Sequence, residues 1–237
     1  MRRELPEFTS RLSRGETIAA LAYLPIHIFV LPLVLVMAAP SLGLGDADLN
    51  LILYVVGAVY MLLLLFKFLR RDFDPLWERP GRCLLEIISS YALMYLANFA
   101  VASLFLLLLP KMAADNPNNS AIMDMAGQNW GKMSAMAVFL APIVEECMFR
   151  AGIFGTLRRY NRWAAYIAAT LVFSAYHVYA YALQDSTYWL YIIQYIPVSF
   201  LLCRVYERTN TIWSSIFFHM LVNWISMNAL QMLGELL

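Results

Sequence analysis

The feature that most limits what this chain can fold into is a series of seven apolar stretches, at roughly 18–39, 49–69, 83–109, 133–154, 163–183, 187–203 and 212–233. A helix needs about 20 apolar residues to cross a hydrocarbon core about 30 Å thick, and most of these stretches reach that length. None alternates apolar and polar residues as the strands of a membrane barrel do. With 62% hydrophobic and 14% charged residues among 237, the chain is also too apolar for an ordinary soluble domain. The expected fold is therefore all-α, a polytopic transmembrane helical bundle of about seven spans forming one integral-membrane domain over residues 1–237.

The basic residues orient such a bundle. Arg2, Arg3, Arg11 and Arg14 precede the first stretch, and Lys67, Arg70, Arg71, Arg79 and Arg82 cluster around the end of the second and the start of the third. Arg158, Arg159 and Arg162 follow the fourth, and Arg204 and Arg208 follow the sixth. The alternate connections carry only Lys111 and Lys132. Positive charge accumulates on the cytoplasmic side, which predicts a cytoplasmic N-terminus. A net charge of +1 gives no reason to expect a nucleic-acid partner. The expected surroundings are a lipid bilayer, with the short loops suggesting a bacterial cytoplasmic membrane. Residues 110–132 form the longest polar interruption and read as a connecting loop with the turn signal DNPNN, the alternative being a cap or lid over the bundle.

Glu86, Glu145, Glu146 and Arg150 are charged residues inside the expected spans. Glu86 stands four residues after Arg82, so an ion pair on one helix face accounts for it. Arg150 stands four residues after Glu146, and the two can pair in the same way, which lowers the cost of burying either. Glu145 points elsewhere and needs a polar cavity, a proton or a partner on another helix. Pro142, three residues earlier, should free a backbone carbonyl near the site.

His177 and His219 lie in the fifth and seventh stretches, and Asn223 shares a helix face with His219. Counted at about 1.5 Å per residue, Glu145, His177, His219 and Asn223 lie roughly 11–21 Å from the cytoplasmic ends of their spans. That depth permits convergence near the middle of the bilayer. His27, between Pro25 and Pro32, has no acidic residue in its own span and reads as structural. Cys83, Cys147 and Cys203 have no metal-ligand spacing and read as small buried hydrophobes.

A carboxylate, two imidazoles and a carboxamide around one pocket suit hydrolysis by activated water. Glu145, helped by His177, could take a proton from water, and His219 with Asn223 could donate to the oxyanion. The same two histidines and Glu145 could instead hold zinc, although no HExxH is present. Ser174 and Ser215 lie in no nucleophile motif. A proton-coupled transporter would use the same ionisable residues, and a noncatalytic scaffold or peptide-binding protein would keep the polar core without chemistry.

Three short patterns occur in order on separate expected helices: EECMFR at Glu145–Arg150, FSAYH at Phe173–His177 and HMLVN at His219–Asn223. They resemble the EExxxR, FxxxH and HxxxN motifs of the CPBP family, which contains the type II CAAX prenyl endopeptidases and the bacterial Abi-type proteins. The resemblance implies an intramembrane glutamic endopeptidase with no cofactor and no metal, with a catalytic core at about 133–233. In it Glu145 and His177 activate water, His219 and Asn223 bind the oxyanion, and Glu146 and Arg150 support them. The implied partner is a membrane-associated peptide or protein substrate. Prenylated substrates belong to the eukaryotic members.

Overall fold

The computed structural model describes residues 7–113 and 116–234. Arg2 and Arg3 of the basic N-terminus, and Asp115 of the turn signal, lie outside the described residues. Among the described residues the chain is all-α, with no strand. Its longer helices are α1 (Arg14–Leu42), α2 (Asp46–Leu64), α3 (Pro80–Leu108), α4 (Pro117–Gln128), α5 (residues 130–158), α6 (Arg162–Ala182), α7 (Ser186–Thr209) and α8 (Ile212–Gly234). Four of them, α1, α2, α3 and α7, are long and apolar enough to cross a membrane. The stretch around 187–203, the shortest of the seven in sequence, is among these four because its helix extends to both sides of that stretch.

Helix α5 lies at the centre and packs against α1, α2, α6, α7 and α8. Val144, Cys147, Met148, Phe149 and Phe154 are fully buried along it. All three cysteines are buried and unbridged. Gly57 of α2 allows the close approach to α5, since a Cβ there would stand 3.0 Å from both Val144 Cγ2 and Tyr23 Oη.

Two π-helical turns share one cause. Ile26–Val30 precedes Pro32 and Met136–Leu140 precedes Pro142. In α-helical register a proline ring collides with the carbonyl four residues back, and widening the turn relieves that contact. Within the second turn Ala141 N–H bonds back to the Met136 carbonyl, five residues away. The next bond in that register would run from Pro142, which has no N–H, to Ala137. Its carbonyl is therefore free for another donor.

The segment expected to be a plain loop contains α4. The Asn-Pro of the turn signal starts this helix: the Asn116 side chain caps the N–H groups of Asn118 and Asn119, and Pro117 takes the first position, where no N–H is needed. Glu86 also pairs differently from the sequence expectation. Its carboxylate accepts from Arg208 at 2.7 Å and forms an ion pair with Arg204 at 3.2 Å, both on α7, whereas Arg82 donates to the Arg208 carbonyl. The contact across helices replaces the one along the helix because α3 and α7 pack face to face there.

The start of α8 is held from outside the helix. Asp72, between two short helical turns, accepts the Ile212 N–H at 2.5 Å, while Thr211 Oγ1 donates to the Asp72 carbonyl at 2.6 Å. Burial pushes the Asp72 carboxyl from its ordinary 3.8 up to about 6, against the opposing pull of the Ile212 N–H, Ser10 and Arg71. The folded state thus holds this proton more tightly than the unfolded chain does. The stabilisation it contributes is complete below 3.8 and is lost as pH rises through about 6. That difference is worth about 3 kcal/mol. Asp72→Asn keeps an acceptor for Ile212 but does not ionise. Its melting temperature relative to wild type should therefore rise between about pH 4 and about pH 7.5. A difference that stays constant across that range would show that Asp72 does not titrate there.

Candidate active site

The two adjacent carboxylates of α5 diverge into different surroundings. Glu146 is fully buried and completely bonded: Oε1 accepts from Arg150 Nη1 and His219 Nδ1, each at 2.9 Å, and Oε2 accepts from Ser215 Oγ at 2.6 Å. The expected pairing of Glu146 with Arg150 is present. Arg150 extends to α7, donating to the Ser199 hydroxyl at 3.1 Å, and its guanidinium lies 4.0 Å from the centre of the Phe173 ring. Three helices are thereby tied to α5 through one ion pair, with the Phe173 face adding a cation–π contact.

Glu145 finds its partner on another helix. Tyr54 Oη of α2 donates to Glu145 Oε1 at 2.7 Å. The other oxygen, Oε2, stands 3.8 Å from His219 Nε2, beyond direct hydrogen-bond distance. His219 therefore bridges the two carboxylates, with Nδ1 fixed on Glu146 and Nε2 turned toward Glu145.

His177 comes from α6. Its Nδ1 donates to the Phe173 carbonyl at 2.9 Å, which in the neutral ring leaves the lone pair on Nε2. The ring stacks on Tyr195 of α7 with centroids 4.6 Å apart. Phe173, four residues earlier, thus carries His177 through its carbonyl and Arg150 through its ring. Asn223 of α8 donates one amide hydrogen to the Ala137 carbonyl at 2.8 Å, the carbonyl that Pro142 leaves without a helical donor. The freed carbonyl expected from Pro142 is taken by Asn223, whose second amide hydrogen is available.

Glu145, His177, His219 and Asn223 all line one cavity of about 1260 Å³. Glu146 and Arg150 stand behind its wall. The cavity extends to α4, which supplies Ile122, Asp124 and Met125 to its lining. Among the described residues no group of three His, Cys, Asp or Glu side chains is placed to hold a metal ion.

Tyr54, Tyr176 and His27 were not singled out as site residues by the sequence patterns. His27, read as structural, is buried in the cavity wall and lies 3.2 Å from Tyr176 Oη through Nε2; Tyr176 in turn lies 2.9 Å from Tyr54 Oη. A tyrosine inside an apolar helix carries no signature of its own. The one available hint was that Tyr176 directly precedes His177.

Residues 128–225 match the family model for type II CAAX prenyl endopeptidase Rce1-like proteins. A protein of Bacillus subtilis (strain 168) described as "Putative membrane peptidase YdiL" is 29% identical over 110 residues, covering 46% of this chain and 41% of that protein. The chain therefore spans less than half the length of the curated relative it matches. No solved structure matches it significantly. Both are likenesses over part of the chain, and the residues matched by the family model include Glu145–Arg150, Phe173–His177 and His219–Asn223, the three patterns that resemble the CPBP motifs.

Proposed function

We propose that this protein is an intramembrane endopeptidase that hydrolyses a peptide bond in a membrane-associated peptide or protein. The observation that carries the reading is the meeting of Glu145, His177, His219 and Asn223, from α5, α6 and α8, around one cavity within the matched region. A water held between Glu145 Oε2 and His177 Nε2 loses a proton to Glu145 as its oxygen attacks the substrate carbonyl carbon. The negative charge that develops on the carbonyl oxygen is met by the free amide hydrogen of Asn223 and by His219 Nε2. Donation from His219 requires both ring nitrogens to be protonated, since Nδ1 already serves Glu146. Glu145 then returns its proton to the leaving amine as the carbon–nitrogen bond breaks.

Glu146 and Arg150 hold His219 in place and take no part in proton transfer. The surrounding unit is read as one integral-membrane domain with its catalytic core at about 133–233, a cytoplasmic N-terminus and a place in a bacterial cytoplasmic membrane. The test is incubation of the detergent-purified protein with a library of membrane-anchored peptides, read by mass spectrometry. Defined new termini should form at the same rate with and without a strong chelator. Cleavage abolished by the chelator would move Glu145, His177 and His219 into a metal site, and no new termini from any peptide would remove support for the protease.

A further inference from the structure

We infer that Tyr54 is a positioning residue for Glu145, and that Tyr176 and His27 fix its direction through a one-way chain of hydrogen bonds. This inference rests on the water-activating role given to Glu145 above. The direction follows from counting protons. An ionised carboxylate only accepts, so the single hydroxyl hydrogen of Tyr54 goes to Glu145 Oε1. Tyr54 then has no hydrogen for Tyr176, and the contact at 2.9 Å must be donated by Tyr176. The single hydrogen of Tyr176 is now used as well. The 3.2 Å contact with His27 must therefore be donated by His27 Nε2.

His27 is left with an unprotonated Nδ1, and that atom is buried without a hydrogen-bond partner among the described residues. Among the described residues no donor reaches Nδ1. The chain joins α1, α2 and α6, and all three members line the cavity beside Glu145. The consequence at the site is geometric. With Oε1 engaged by Tyr54, Oε2 is the oxygen left toward His219 and the cavity, which is where an activated water is needed. His27 lies within the π-helical turn at Ile26–Val30, which precedes Pro32.

Tyr54→Phe removes one oxygen and leaves the ring. Hydrogen bonds to charged groups are strong enough that kcat should fall roughly 10- to 100-fold. KM should stay within about twofold, because Tyr54 positions the base and does not hold the substrate. A second readout needs no substrate. The infrared difference between wild type and Glu145→Gln isolates the Glu145 carboxylate band, and Tyr54→Phe should shift that band. A lower kcat with a shifted band supports the inference. A wild-type rate in Tyr54→Phe overturns it, and so does an unmoved band, while loss of cleavage in Glu145→Gln would in either case leave the role of Glu145 standing. Cleavage by Glu145→Gln at the wild-type rate overturns the role of Glu145 and this inference with it. If Tyr54→Phe does not fold, His27 decides the question. His27→Leu should shift the same band and His27→Gln, which keeps a donor at the same place, should restore it; no shift in His27→Leu overturns the chain.

Discussion

Glu145→Gln is expected to reduce peptide cleavage on the order of 10⁴-fold, the upper end of what a positioned general base contributes, while the protein stays folded. The size follows from the two roles asked of one side chain, since the same carboxylate takes the proton from water and returns it to the leaving amine. The fold should survive because Glu145 is not part of the ion pair. Its hydrogen-bond partner among the described residues is the Tyr54 hydroxyl, which can donate equally well to the amide oxygen of glutamine. The comparison is of kcat for purified wild type and variant on one cleaved peptide, with thermal unfolding of both. Equal rates would remove Glu145 from the chemistry, and an unfolded variant would make it a structural residue.

Arg150→Met should cost about 3–5 kcal/mol of stability, because it leaves Glu146 as a buried charge without its counter-ion. Arg150 and Glu146 are both fully buried, so water does not replace the missing partner. Methionine fills a similar volume, which keeps loss of packing from dominating the result. The double variant Glu146→Gln/Arg150→Met should recover most of the loss, since removal of both charges removes the unpaired one. Denaturant unfolding of the three proteins in micelles measures this. Equal losses in the single and double variants would show that packing, and not charge, is the cause. The single variant should also be less active than its remaining folded fraction, as Glu146 without Arg150 holds His219 less firmly.

Much of the architecture was legible because the bilayer imposes a length and a composition on a helix. The apolar stretches around α1, α2 and α3 declare themselves in that way. The pairing of Glu146 with Arg150 was legible because it depends only on helical periodicity. So were the residues of the cavity wall on α5, α6 and α8, since ionisable groups in apolar helices stand out against their neighbours. The pairing of Glu86 was misassigned for a related reason: sequence spacing offers Arg82 on the same helix, and the choice of Arg204 and Arg208 depends on how α3 meets α7. Helix α4 was missed because Asn and Pro mark both turns and helix starts, and only the conformation after Pro117 separates the two.

What the sequence determined by itself is the class of fold and the chemical types available to the site, both of which are local properties of the chain. What only the tertiary structure decided is which of those groups meet. Tyr54 reaches Glu145 because Gly57, one turn further along α2, lets that helix close on Val144 of α5. Asn223 reaches Ala137 because a π-helical turn and a proline leave one carbonyl without a donor. These contacts join residues more than 80 positions apart. Their existence depends on how closely the helices approach one another, which packing sets and which no local pattern in the chain encodes.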